Sequence, residues 1–126
     1  MRSATASIES NVTSVLIVDD HPSFRATARM LLEAEGYDVV GEAPDGESAI
    51  SAAGALRPDL VLLDVNLPDL DGFAVAERIA GVEGAPAVVL VSSRDSSDFG
   101  PLVHASGARG FISKVELSGD AIAALL

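Results

Sequence analysis

The sequence predicts an α/β domain: a five-stranded parallel sheet with helices on both faces. Three observations lead there. Short apolar runs rich in branched residues alternate with amphipathic stretches from residue 13 onward. The runs are apolar throughout, as in strands buried on both faces. They also end in polar residues, Asp19-Asp20, Asp64, Ser92-Ser93 and Lys114. That places chemistry outside the carboxyl ends of the strands, where open parallel sheets bind ligands.

The first strand is Ser14-Val15-Leu16-Ile17-Val18. Pro22 follows at the first turn of a helix, where its missing N–H costs nothing. Phe24, Ala28, Leu31 and Leu32 recur at helical spacing, with Arg25, Arg29 and Glu33 on other faces, and Gly36 ends the helix. Tyr37 to Gly41 reads as the second strand. Asp45 caps a helix over Gly46 to Ala55, and Arg57-Pro58 breaks the chain. Asp59 to Leu63 is the third strand, ending at Asp64. Leu67-Pro68-Asp69-Leu70-Asp71-Gly72 is a turn-rich loop, its acids shaping the turn, before a helix over Phe73 to Ala80. Ala87 to Val91 is the fourth strand and Ala108 to Ile112 the fifth. Between them Asp98-Phe99-Gly100-Pro101 disfavours an early helix start, so the fourth helix is expected to begin near Pro101 and to be short or irregular. Ser118 to Leu126 reads as a last helix capped by Ser118.

At 126 residues the chain fits one domain, and 48% hydrophobic residues suffice for a real core. The net charge of −11 argues against nucleic-acid binding by this domain and against docking on an anionic membrane. The absence of cysteine excludes disulfides and thiolate metal sites. No stretch reaches the roughly 18 apolar residues of a membrane span. Residues 1–12, rich in Ser, Ala and Thr, read as a flexible tail rather than a secretion signal, and 13–126 as the folded domain. A cytoplasmic location is the default.

In a sheet ordered 2-1-3-4-5 the first and third strands are neighbours, and Asp19, Asp20 and Asp64 converge; spacing alone does not give that order. Three crowded carboxylates stay ionised together only around a cation. Oxygen ligands suit Mg²⁺, which also offsets charge on a phosphoryl group. An aspartate can serve as nucleophile in aspartyl-phosphate chemistry. These residues therefore suggest a phospho-acceptor site: Asp64 attacks, Mg²⁺ and Lys114 neutralise, and the Ser92 hydroxyl senses the product. Taken singly, Asp19 or Asp20 could cap the first helix, Ser92 could be a turn residue and Lys114 a solvated lysine; their joint order at the strand ends weighs against each. His21 reads as a polar neighbour of the site.

Five ordered segments carry a family likeness: Val18-Asp19-Asp20-His21-Pro22, Pro58 to Asp64, Leu67 to Gly72, Val91-Ser92 and Gly110-Phe111-Ile112-Ser113-Lys114. Asp20 and Asp64 are 44 residues apart, and Ser92 and Lys114 are 22 apart. The chain resembles the receiver domain of two-component response regulators over about residues 13–126, and Val39-Val40-Gly41-Glu42-Ala43 is similar to the NarL/LuxR-type subfamily. The resemblance implies the flavodoxin-like receiver fold, strand order 2-1-3-4-5, and phosphorylation of Asp64 by a histidine kinase. It implies Mg²⁺ held by Asp20 and Asp64, by the backbone carbonyl of Asn66, and by Asp19 through water. Ser92 and Phe111 would be the switch pair, Lys114 the phosphate partner, and helix 4, strand 5 and helix 5 the output face. A homodimer is compatible with it. The partner would be a downstream protein or, in a longer gene product, a C-terminal DNA-binding domain, which has no room in these 126 residues. The chain departs from the pattern at Val115, where many members have proline, in the Gly100-Pro101 region, and in its short last helix.

Two other functions compete. An aspartyl-phosphate phosphatase of the haloacid dehalogenase type needs a second aspartate two residues after the nucleophile, where Asn66 stands and can do no acid–base work. A receiver-like interaction module that works without phosphate would not need the intact acidic set.

Overall fold

The computed structural model describes residues 12–93 and 99–126. Except for Val12, the tail expected over 1–12 lies outside the described residues, as does Asp98. The strands are β1 (Ser14–Val18), β2 (Asp38–Ala43), β3 (Leu60–Asp64), β4 (Ala87–Ser92) and β5 (Gly110–Ser113). The helices are α1 (Pro22–Ala34), α2 (Gly46–Leu56), α3 (Gly72–Ala80), α4 (Gly100–Ala105) and α5 (Gly119–Ala123). The five strands form one parallel sheet in the order β2-β1-β3-β4-β5, as expected.

Strand alternation divides the core in two. Leu16, Val18, Val61, Leu63, Val88 and Leu90 pack with Ala49 and Ala53 of α2 and Val75, Ala76 and Ile79 of α3. Val15, Ile17, Leu60, Leu62, Val89 and Val91 pack on the other face with Ala28 and Leu32 of α1 and Ile122 of α5. A strand covered on both faces has no solvent side, which is why its sequence is apolar at every step.

Local chemistry explains the element ends. Gly36 takes a left-handed φ of 94° just after α1, a conformation that costs a glycine little. Asp45 Oδ1 accepts from Ser48 N at 2.9 Å, and Ser118 Oγ accepts from Ala121 N at 3.0 Å, so both expected caps are made. The fourth helix is short, with Pro101 in its first turn.

Three boundaries differ from expectation by two residues or more. β2 runs to Ala43 because a bulge sits opposite Val15 and Leu16: Val15 pairs with Val39 and Leu16 with Gly41, leaving Val40 unpaired. β5 begins two residues late, at Gly110, and Lys114–Glu116 form an unexpected 3-10 turn. The last helix closes at Ala123 because its final bonds tighten to three-residue spacing, from Leu125 N to Ile122 O and from Leu126 N to Ala123 O.

An ion-pair network ties α1 to β2. Arg29 Nε donates to Glu42 Oε2 at 2.7 Å and Arg25 Nε to Glu42 Oε1 at 3.1 Å. The Arg29 bond, opposed by partial burial and helped by Arg25, holds the Glu42 carboxyl below its ordinary 4.5. A lowered carboxyl contributes stability above its unfolded value and loses it as pH falls through the folded one. Glu42→Gln is therefore expected to cost about 0.5 kcal/mol at pH 7, small because the pair is screened by solvent. Chemical denaturation should show that gap closing as pH drops below 4.5.

Candidate functional site

The carboxyl end of the sheet brings together four of the residues singled out in the sequence. Asp19 continues β1, its N–H donating to Ala43 O of β2 at 3.0 Å. It is fully buried, and Asp64, the last residue of β3, is 2% exposed. The pairing of Val18 with Leu63 sets the two aspartates side by side. Asp20 follows at the mouth, half-buried. Lys114 arrives from the end of β5 and reaches back across β4. Its Nζ lies 2.6 Å from Asp19 Oδ2 and 3.4 Å from Asp64 Oδ2. Phe24 of α1 covers the ammonium, its ring centroid 4.4 Å from Nζ.

Backbone groups fix the carboxylates. Asp19 Oδ1 accepts from His21 N at 2.8 Å and Asp64 Oδ1 from Asn66 N at 3.1 Å. Arg25 donates to the Asp19 carbonyl at 2.7 Å. His21 Nδ1 lies 3.0 Å from Asp19 Oδ1 and 3.1 Å from Asp20 Oδ1. Ligand atoms of Asp19, Asp20, His21 and Asp64 all fall within 4.8 Å of one another.

The electrostatics are uneven. Burial alone would raise the Asp19 carboxyl, but the Lys114 ammonium and the His21 amide hold it below the usual carboxylate range. Asp64 goes the other way. Burial first, then the neighbouring Asp19 charge, push it up to about 6 against the Asn66 amide and Lys114. Asp19 Oδ2 and Asp20 Oδ1 are buried oxygens without a hydrogen bond; their neighbours are the Lys114 and His21 nitrogens. Converging carboxylate oxygens are the kind of donor a hard divalent cation takes.

The other predicted residues surround this centre. Asp64 pairs with Val91, so Ser92 stands one residue beyond it on the adjacent strand, fully buried. Phe111 pairs with Leu90 and is half-buried. Asn66 is exposed and bridges Asp71 across the loop.

Three contributions escaped the sequence reading. Asp69 is more than a loop-shaping residue: it accepts from Gly46 N at 2.8 Å and Glu47 N at 3.0 Å, tying the β3–α3 loop to the start of α2. These amides, Gly46 first, hold its carboxyl below the usual range. Phe99 lies between Phe73 and Phe111, at centroid distances of 5.5 and 5.7 Å, so Phe111 belongs to an aromatic row. Phe24 serves the lysine as well as the core. Asp71, likewise read as a loop-shaping residue, caps α3 by accepting from Phe73 N at 2.8 Å.

Comparison with known proteins agrees with this geometry. The family model of the response regulator receiver domain matches residues 15–125. BvgA of Bordetella pertussis, named for positive transcription regulation of virulence factors, is 42% identical over 103 residues, 81% of this chain and 49% of that protein. EvgA of Escherichia coli K12, a DNA-binding transcriptional activator, is 32% identical over 112 residues, 89% of this chain and 55% of that protein. The chain thus spans about half the length of these relatives. The crystal structure of a LuxR-family two-component response regulator from Aurantimonas sp. SI85-9A1 superposes with a TM-score of 0.82 at 30% identity, covering 91% of this chain and 86% of that one. With its strand order and its acidic pocket closed by Lys114, the chain belongs to the response regulator receiver domain family.

Proposed function

We propose that residues 13–126 form a receiver that accepts a phosphoryl group on Asp64 from the phosphohistidine of a partner kinase. The phosphorylated form then binds an output partner differently. A carboxylate oxygen of Asp64 attacks phosphorus. The P–N bond breaks, its electron pair stays on the leaving ring, which takes up a proton from solvent to become neutral imidazole, and an acyl phosphate forms. One observation carries the reading: Lys114 Nζ stands against both Asp19 Oδ2 and Asp64 Oδ2, a fixed positive charge beside a buried nucleophile.

Asp20 and Asp64, the Asn66 carbonyl and, through water, Asp19 would hold Mg²⁺. Bound there, Mg²⁺ offsets the negative charge shared by the carboxylates and the phosphoryl oxygens. The chain's own residues do the rest. Lys114 neutralises a phosphoryl oxygen, the Ser92 hydroxyl donates to another, and Phe111 follows Ser92. Such new contacts exist in only one state of a two-state domain, and so shift its population. Turnover of a separate substrate is not the role; the chemistry is confined to Asp64. The transcription-regulator names of the relatives support an output through a C-terminal DNA-binding domain in a longer gene product, in the cytoplasm. Among the described residues no helix is long and apolar enough to cross a membrane.

Intact mass after incubation with acetyl phosphate tests this. Wild type should gain one phosphoryl mass only when Mg²⁺ is present, and Asp64→Asn should gain none. Labelling that persists in the variant would overturn the assignment of Asp64. Lys114→Ala should lose the conformational response to phosphorylation while keeping most of its Mg²⁺ affinity; equal loss of both would remove Lys114 from the phosphate-pairing role.

A further inference from the structure

One nitrogen sits among the oxygens of the acidic pocket. His21 occupies the N-cap position of α1, yet its side chain makes no capping bond to the helix. Its Nδ1 instead turns back to the pocket, 3.0 Å from Asp19 Oδ1 and 3.1 Å from Asp20 Oδ1. The backbone supports this placement, because the His21 amide is itself held by Asp19 Oδ1 at 2.8 Å.

These separations approach those of a coordination shell. A six-coordinate ion with bonds of about 2.1 Å sets adjacent donors about 3.0 Å apart and opposite donors about 4.2 Å apart. The contact of Nδ1 with Asp20 Oδ1 has the adjacent spacing, and ligand atoms of all four side chains lie within 4.8 Å of one another, slightly wider than such a shell, so they would draw inward around an ion. Asp20 Oδ1, one of the two oxygens flanking Nδ1, is buried and has the His21 nitrogen at 3.1 Å as its neighbour. The ring is 64% accessible, so a change of tautomer at Nδ1 requires no opening of the core.

We propose that His21 Nδ1 is a ligand of this cation site, which makes the site favour first-row transition ions such as Mn²⁺ and Co²⁺ over Mg²⁺. The proposal rests on the reading that Asp20 and Asp64 hold the cation. An all-oxygen pocket suits Mg²⁺ and Mn²⁺ alike, whereas an imidazole nitrogen adds affinity for first-row transition ions, least for Mn²⁺ and more for Co²⁺. One nitrogen among several carboxylates therefore tilts selectivity without abolishing Mg²⁺ binding. Lys114 cannot supply that ligand while it carries its proton and pairs with Asp19.

Titration calorimetry at pH 8 with MnCl₂ and with MgCl₂, on wild type, His21→Ala and Asp20→Asn, tests it. His21→Ala should lose about tenfold or more in Mn²⁺ affinity and less than about twofold in Mg²⁺ affinity, in line with the fold-change typical of removing a metal-site group. Pulsed electron paramagnetic resonance of the Mn²⁺ complex should show a directly bound ¹⁴N in wild type and none in His21→Ala. Equal losses for both ions, no loss, or a ¹⁴N signal that survives the substitution would overturn the proposal. Asp20→Asn separates the two layers. If it weakens both ions while His21→Ala weakens neither, the cation site stands and the histidine ligand falls. If Asp20→Asn weakens neither ion, the site itself is elsewhere and both readings fall.

Discussion

In Mg²⁺-free buffer at pH 7.5, Asp64→Asn is expected to unfold roughly 5–10 °C above the wild-type chain. The cause is the buried carboxylate pair. Burial and the Asp19 charge raise the Asp64 carboxyl to about 6 from an ordinary 3.8. A raised carboxyl gives stability that is fully present below the unfolded value and lost as pH rises through the folded one. At pH 7.5 the ionised group costs the fold about 2 kcal/mol, an amount of the order that such a shift represents. Asparagine keeps the shape and removes the charge. Its advantage should shrink as the pH drops toward 3.8, where both chains are neutral at this position. Added Mg²⁺ should raise the melting temperature of wild type and leave the variant nearly unmoved, because a ligand stabilises only the form that binds it. Differential scanning calorimetry in chelator and in Mg²⁺ checks both halves. A variant less stable than wild type in chelator would show that the Lys114 contact outweighs the repulsion.

Gly72→Ala should lose about 3 kcal/mol or more, the upper range for overpacking, because here the crowded atoms are backbone. A β-carbon at Gly72 would come within 2.5 Å of Asp64 O and Val65 Cα, and 2.8 Å of Val65 O. Main chain at the end of a central strand has nowhere to move. The Gly72 N–H also donates to Val65 O at 3.0 Å, closing the loop that carries Asn66. The substitution should therefore weaken Mg²⁺ binding along with stability. Gly54→Ala is the control. It lies within α2 with nothing near its absent β-carbon, so alanine should stabilise by up to about 1 kcal/mol. Urea denaturation of the two variants should move in opposite directions. A Gly72→Ala chain as stable as wild type would mean that the loop can retreat from β3.

The difference between these two glycines was invisible in the sequence, as was most of what supports the site. The apolar runs Val15–Val18, Leu60–Leu63 and Val88–Val91 were legible because burial on both faces leaves no polar gap. The ends of those runs carried Asp19, Asp20, Asp64 and Ser92, and their order carried the family likeness. The end of β2 was not legible, because the bulge at Val40 breaks the correspondence between sequence step and sheet partner. Asp69 was read as a loop residue, since its partners Gly46 and Glu47 lie more than 20 positions upstream and leave no local trace. The row of Phe73, Phe99 and Phe111 likewise joins three elements by contacts that no spacing announces. Propensity and periodicity report the neighbours a residue has along the chain, whereas these contacts depend on the fold already being formed.

The reach of Lys114 has a mechanical consequence. β5 is four residues long and, as one of the two edge strands, pairs with β4 alone. It has fewer paired residues than any other strand, and an element with few such pairs opens more readily. Lys114 anchors that short strand to the buried aspartates at the ends of β1 and β3. Beyond the lysine the 3-10 turn carries Val115, 91% exposed, into solvent. Lys114 is in effect a tether with a stiff end and a slack end. A change of charge at Asp64 would load the tether at its stiff end, and the slack end, where an apolar side chain already faces outward, would be the part to respond.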